Sequence, residues 1–359
     1  MRYGMIMAGG AGTRLWPMSR RSKPKQLLPF INGRSLLEIS AARLEGIVPR
    51  DQQYICTGEV FRAPIRAALP VFTDDRILGE PVGRDTVNAV GFTAAVLAKR
   101  DPEAVFAVLT ADHLIEPQDE FARKLETGFQ LVEADPNRFI TFSITATHPA
   151  TGYGYVERGR AIDGFSHAHE AERFVEKPDL ETAKAYLAAG TFGWNSGMFV
   201  YHAHTVLETL KRYLPECHAG LMRIQDAWDT PDQARVLSEV YPTLPKISVD
   251  YALMEPASRD ETIQVCAVAM DVSWKDVGSW PSYGETLTPD EHDNRTNAQT
   301  VHLDSRNILA VADDAMHTIT TIGCEDLIIV RTADATLVCR ADHAQRVKDL
   351  ATQVDPSLQ

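Results

Sequence analysis

The chain has 359 residues, 44% of them hydrophobic and 24% charged, enough for one large core and a smaller second unit. A formal net charge of −13 excludes the broad basic footprint of a nucleic-acid binder, but leaves room for a local cluster of Arg and Lys around a nucleotide. No apolar run is long enough to cross a bilayer, and the apolar part of residues 1–7 is too short for a signal peptide. Five scattered cysteines without a C-x-x-C pair read as the reduced thiols of a cytoplasmic protein.

Short apolar runs alternate with longer amphipathic stretches. Residues 4–7 read as a strand, 35–44 as a helix, 53–57 as a strand, and 88–100 as a helix whose last residues, Lys99 and Arg100, suit its C-terminal dipole. Residues 104–109 read as a buried strand with Asp112 and His113 at its carboxyl end, followed by a helix at 120–134 and a strand at 139–144. This βαβα order predicts an α/β fold, Rossmann-like, with a mixed but mostly parallel sheet covered on both faces. Ligands on such sheets bind beyond the carboxyl ends of strands, where Asp112 and a glycine-rich turn after the first strand both fall. Further strands are expected at 152–158, 172–175, 197–201 and 267–272, with helices at 205–213 and 233–241. A polar stretch at 288–299 reads as a linker into short β-prone runs over 300–338 and a last helix over about 341–353. The expected domains are therefore 1–287 and a small β-rich domain at 288–359.

The turn is Ala8-Gly9-Gly10-Ala11-Gly12-Thr13-Arg14-Leu15. Its glycines let backbone approach a phosphate, successive N–H groups can form an anion nest, and Arg14 and Lys25 add cations. No G-K-[ST] follows and the G-x-G-x-x-G spacing is absent, so neither a P-loop nor a dinucleotide turn is indicated. Alone, the turn is equally well a flexible strand-to-helix connection.

The stretch continues from Trp16 through Pro24-Lys25-Gln26. A glycine-rich loop, then Thr-Arg-Leu, then Pro-Lys-Gln resembles the signature of the nucleotide-sugar pyrophosphorylases and, among them, the mannose-1-phosphate guanylyltransferases. The resemblance runs on in order. Glu80-Pro81-Val82-Gly83-Arg84-Asp85-Thr86 resembles a base-recognition segment, and Thr110-Ala111-Asp112-His113 a metal-binding step. Thr151-Gly152-Tyr153-Gly154-Tyr155-Val156-Glu157 resembles a sugar-contacting turn, Phe174-Val175-Glu176-Lys177-Pro178 a sugar-phosphate motif, and Trp194-Asn195-Ser196-Gly197-Met198-Phe199 a sugar-pocket strand. Ser248-Val249-Asp250-Tyr251-Ala252 and Trp274-Lys275-Asp276-Val277-Gly278-Ser279-Trp280 complete the set. Asp85, Val87 and Asn88 depart from the Asn, Ala and Pro usual in the family, which bears on the base more than on the reaction.

The resemblance implies transfer of GMP from GTP to mannose 1-phosphate, giving GDP-mannose and pyrophosphate. Ala8, Gly9, Gly10, Gly12, Thr13, Glu80, Arg84 and Asp112 would then contact the nucleotide, and Arg14 and Lys25 would be the catalytic cations on the triphosphate. Asp112 and Asp276 would hold Mg²⁺, a cation that takes hard carboxylate and phosphate oxygens. Lys177 would hold the sugar phosphate, and Gly154, Glu176, Asn195 and Asp250 the sugar. Two alternatives stand beside this reading: another sugar phosphate (glucose or a heptose) or base, and a non-catalytic regulatory protein that binds nucleotide sugars. The complete set of Arg14, Lys25, Asp112, Lys177 and Asp276 weighs against the second. The pairs His167/His169 and His202/His204 lack the Cys or carboxylate partners of a zinc site. About 60 residues follow the linker, too few for the cupin-type isomerase barrel of related bifunctional enzymes, so no isomerase activity is expected. An apolar face on the small β unit favours a homo-oligomer such as a dimer.

Overall fold

The structure is a computed structural model that describes residues 1–10, 12–314 and 316–358, so Ala11 of the glycine-rich turn lies outside the described residues. By contact the chain forms two compact units: residues 1–9, 40–111 and 115–274 in the first, and 10–39, 112–114 and 275–359 in the second. The expected domains divide the chain by order; these units divide it by packing, and the second recruits two stretches from the N-terminal third.

The first unit is built on a nine-stranded sheet. Its strands are β1 (Arg2–Met7), β2 (Gln53–Gly58), β3 (Ile77–Glu80) and β4 (Val105–Thr110), then, past a short β5 (His113–Glu116) outside the sheet, β6 (Arg138–Thr145), β7 (Tyr155–Ala161), β8 (Ala168–Val175), β9 (Phe192–His202) and β10 (Gln264–Met270). The spatial order is β3-β2-β1-β4-β9-β6-β10-β8-β7. β3, β2, β1 and β4 are parallel, as their nearly continuous apolar runs predict for strands buried on both faces. β9 runs antiparallel between β4 and β6, β6 and β10 are parallel again, and β8 and β7 complete the sheet in antiparallel sense. The sheet is thus mixed, its parallel part holding the carboxyl ends at Met7 and Thr110 side by side, where Ala111 N–H donates to the Met7 carbonyl.

Helices cover both faces. The helix Thr86–Arg100 is buried from Val87 to Leu97 and is rich in small residues, so neighbours come close: a Cβ on Gly91 would lie 2.5 Å from Leu221. It packs with the helices Ala203–Tyr213 and Pro215–Ala227 in the core that includes Phe199 and Tyr201. Strand alternation sends Val200 the other way, and there Gly128 of the helix Gln118–Ala134 meets Val200 and Phe142. The helices Arg62–Ala68, Leu180–Ala189 and Pro215–Ala227, and strand β3, add to the expected elements.

In the second unit, after a short β11 (Ser273–Asp276), the chain coils through β12 (Arg295–Thr296), β13 (Gln299–Leu303), β14 (Leu309–Ala312), β15 (Thr318–Ile322), β16 (Leu327–Arg331) and β17 (Thr336–Arg340). β12, β14 and β16 form one parallel ladder and β13 and β15 another, with β17 antiparallel on β16. The polar stretch expected as a linker is anchored: buried Asn294 donates to Asp290 and Ser305, and accepts from Ile308 N–H. The single last helix expected over 341–353 is instead a 3-10 segment, Ala341–Arg346, followed by a short helix, Val347–Ala351. Leu309, Val311, Ile328, Val330 and Leu337 share one core with Leu15, Trp16, Trp280 and Tyr283. The residues just after the glycine turn are therefore part of the β-coil's interior.

At Gly193 of β9, a Cβ would lie 2.7 Å from the Ile144 carbonyl oxygen of β6, a backbone atom that cannot step aside cheaply. Gly193→Ala is expected to destabilise the fold by about 1–3 kcal/mol in urea denaturation, and an unchanged midpoint would contradict this packing.

Candidate active site

Chemistry-bearing residues gather at two clusters, one in each unit. In the second unit Gly10 and Gly12 have φ of 89° and 66°, a region that disfavours side chains. Gly12 is constrained twice, since a Cβ there would lie 2.5 Å from the Lys25 Cβ. Ser19 Oγ donates to the Gly12 carbonyl at 2.7 Å and Gln26 Nε2 to the Gly10 carbonyl at 3.1 Å, so the turn is held from below by the Pro-Lys-Gln segment. Thr13 opens a single 3-10 turn, Thr13–Leu15.

Lys25 is buried and its Nζ pairs with Asp112 Oδ2. Val277 N–H donates to the Asp112 carbonyl at 3.0 Å, joining the Asp112 step to the segment that carries Asp276. One donor atom each from Asp112, His113 and Asp276 lie within 4.8 Å of one another. Asp276 Oδ1 is buried and has no hydrogen-bond partner among the described residues. A Cβ on Gly278 would sit 3.0 Å from both Arg14 Nη2 and Asp276 Oδ1, so both groups border that glycine. Burial would raise the Asp112 carboxyl pKa, but Lys25 and His113 outweigh it and hold the group below the ordinary carboxylate range. Two carboxylates, one of them with a buried oxygen that has no hydrogen-bond partner among the described residues, make Asp112 and Asp276 a group that could hold a hard divalent cation.

In the first unit Asn195 is the hub. Its Nδ2 donates to Asp250 Oδ1 at 2.8 Å, and its Oδ1 accepts from Thr141 Oγ1 at 2.8 Å and from Gly197 N–H at 3.1 Å. Its N–H donates to the Gly154 carbonyl at 2.8 Å. A Cβ on Gly154 would lie 2.5 Å from Glu176 Oε2 and 3.3 Å from the Asn195 Cβ, so a side chain there would displace the Glu176 carboxylate. Lys177, at φ 45°, pairs with Glu176 at 2.5 Å. Gly154, Glu176, Lys177, Asn195 and Asp250 thus form one cluster of acceptors, amide and ammonium, the inventory that polyol hydroxyls and an anion require. Burial, and then the negative charge of Glu176, push the Asp250 carboxyl up to about 7.

Elsewhere in this unit Ala8 is fixed by its N–H to the Cys56 carbonyl and by Thr57 Oγ1, and Gly9 faces Glu80 Oε2 across 4.0 Å, measured from the position of a Cβ. Glu80 is buried and accepts from the Tyr241 hydroxyl at 2.6 Å; burial raises its carboxyl pKa and Tyr241 opposes that rise. Arg84 turns to the Pro242 carbonyl instead of joining Glu80. Thr141 and Tyr241 take part without having been singled out from the sequence, whereas His113 stood in the Asp112-His113 step. His113 alone had a local signal, its place next to Asp112 at the end of β4.

The cluster in the second unit offers the groups that phosphates and a divalent cation need, and the cluster in the first unit those that a polyol and an anion need. The chain matches the Nucleotidyl transferase family over residues 3–292 and the MannoseP isomerase/GMP-like beta-helix domain over residues 298–354. It is 36% identical to a mannose-1-phosphate guanylyltransferase of Escherichia coli, across 98% of this chain and 73% of that protein. A second, from Klebsiella pneumoniae, is 36% identical across 96% of this chain and 72% of that protein. A crystal structure of mannose-1-phosphate geranyltransferase from Thermus thermophilus superposes with a TM-score of 0.84 at 31% identity, covering 98% of both chains. The chain belongs to the nucleotidyl transferase family and, within it, to the mannose-1-phosphate guanylyltransferases.

Because the folded Asp250 carboxyl titrates near 7 against 3.8 ordinarily, ionising it costs folding free energy. Its stabilising contribution is complete below about pH 4 and is lost as pH rises through 7. Asp250→Asn should therefore match the wild-type stability near pH 4 and exceed it by roughly 1–2 kcal/mol at pH 8. Parallel stability curves for the two proteins from pH 4 to 8 would contradict the assignment.

Proposed function

We propose that this enzyme transfers GMP from GTP to α-D-mannose 1-phosphate. A phosphate oxygen of the sugar attacks the α-phosphorus; that O–P bond forms as the bond to the β-phosphate oxygen breaks, and the electron pair leaves with pyrophosphate. The attacking phosphate is already anionic near pH 7, so no general base is needed, and catalysis reduces to alignment and neutralisation of charge. The observation that carries the reading is the cluster in which Lys25, Arg14, Asp112 and Asp276 meet around the glycine turn.

Each residue has a task. Gly9, Gly10, Gly12 and Thr13 bring backbone to the phosphates, with Ala8 anchoring the end of β1. Lys25 and Arg14 bind the triphosphate and stabilise the charge that grows on the departing pyrophosphate. Asp112 and Asp276 would hold Mg²⁺, which would supply further neutralisation of phosphate oxygens. Glu80 accepts from the base edge, Arg84 braces the base segment, Lys177 takes the sugar phosphate, and Glu176, Asn195, Asp250 and Gly154 take the sugar.

A different sugar or base is the second reading, motivated by the departures at Asp85, Val87 and Asn88. Asp85 caps the following helix through Thr86 N–H, Val87 is buried, and Asn88 Nδ2 donates to the Arg84 and Pro245 carbonyls. These residues are spent on anchoring, which favours an unchanged reading of guanine by Glu80. No described helix is long and apolar enough to cross a membrane, and the five cysteines are free, in keeping with a cytoplasmic enzyme. Val301, Leu303 and Ile322 are exposed on one face of β13 and β15, a surface suited to homo-oligomer formation.

A pyrophosphate-release assay across the four nucleoside triphosphates and several sugar phosphates should give its highest kcat/KM with GTP and mannose 1-phosphate. No turnover with any GTP pair would contradict the reading. Lys25→Ala should lower kcat about 10²–10³-fold at saturating substrates, and near-normal turnover would remove Lys25 from the chemistry.

A further inference from the structure

The first unit holds another cavity, of about 560 Å³, at the start of the helix Gln118–Ala134. It is lined by Thr145 and Met270, the last residues of the parallel pair β6 and β10, which places it beyond strand carboxyl ends. None of the residues assigned above to nucleotide or sugar lines it. The charged and titratable groups facing it are Arg123, Lys124, Arg158 and His167, against Glu120 and Asp271.

Lys124 is the group that demands an account. It is 6% exposed, and its partner among the described residues is Glu120 Oε1, at 3.2 Å. An ammonium has three donors and loses much hydration on burial, so one carboxylate that is shared leaves it under-compensated. Glu120 is shared, since it also accepts from Arg123 at 2.6 Å. Arg158 pairs with no carboxylate among the described residues; it donates to the Thr191 and Gly190 carbonyls at 3.2 and 3.3 Å. The helix starts after Pro117 without a side-chain cap, so its first N–H groups add positive potential on the same side. A buried cation, a guanidinium without a carboxylate partner among the described residues, and an uncapped helix start converge on one space.

We propose that this cavity is a second anion site that takes a phosphate monoester, with Lys124 and Arg158 as its principal contacts. The volume accommodates a phosphate together with a group of about hexose size. Occupancy would complete the coordination of Lys124 and tie the helix to β7, which carries Arg158.

The test uses the full chain carrying Lys25→Ala and Lys177→Ala, which removes the lysine from each proposed catalytic phosphate site. Calorimetric titration with inorganic phosphate and, separately, with glucose 6-phosphate should show one saturable site. Equal affinity for the two identifies the phosphate alone as the ligand, and tighter glucose 6-phosphate binding identifies a cavity that also reads the sugar. Adding Lys124→Met, which keeps the buried stem, or Arg158→Ala should weaken binding at least tenfold while the melting temperature stays within a few degrees. Absence of saturable binding, or binding that survives both substitutions, would overturn the proposal.

Discussion

Two carboxylates, Asp112 and Asp276, are held close enough to share one ion, and like charges at that separation repel. Lys25, buried against Asp112, offsets part of that repulsion. Much of the second unit follows from this constraint. Gly12 must be glycine because the stem of Lys25 occupies the space a side chain would need. Ser19 and Gln26 pin the turn, and Trp280 donates to the Trp16 carbonyl at 2.9 Å while Trp16 donates to the Leu358 carbonyl at 2.8 Å. The β-coil thereby supplies the hydrophobic floor for Leu15 and Trp16, the residues just after the glycine turn.

The cluster in the first unit is organised on the opposite principle. Asp112 is kept ionised by a cation, whereas burial and the neighbouring Glu176 make Asp250 reluctant to ionise. Asn195 mediates, using both ends of its amide: one donates to Asp250 and the other accepts from Thr141 and Gly197. A carboxyl poised in this way can donate or accept as a hydroxyl-rich ligand requires. The contrast matches the division of labour in the proposed reaction, where phosphate charge must be cancelled and sugar hydroxyls must be sorted.

Much of this was legible in the sequence where the signal was local. The strand before the glycine turn and the place of Asp112 after β4 lie in short contiguous stretches, and Gly154, Glu176, Lys177, Asn195 and Asp250 each belong to a short motif that the fold gathers into one cluster. Other features rest on long-range packing that no window of sequence reveals. Tyr241 reaches Glu80 from 161 positions away, and Thr141 reaches Asn195 from 54. The helix Pro215–Ala227 has its apolar Cys217, Leu221 and Ile224 at helical spacing behind a proline at its first position, a start signal that the sequence reading did not use. The assignment of residues 10–39 to the second unit depends on Leu15 and Trp16 packing with Leu309, Val311 and Val330, a partnership that appears only when the chain is folded.

The central claim is that these residues align and neutralise but form no covalent bond to the nucleotide. The stereochemical course at the α-phosphorus tests it most directly, using GTP made chiral there by sulfur substitution. A single in-line displacement predicts a nucleotide sugar with inverted configuration. Retention would require two displacements through a nucleotidyl-enzyme intermediate, and would contradict the account.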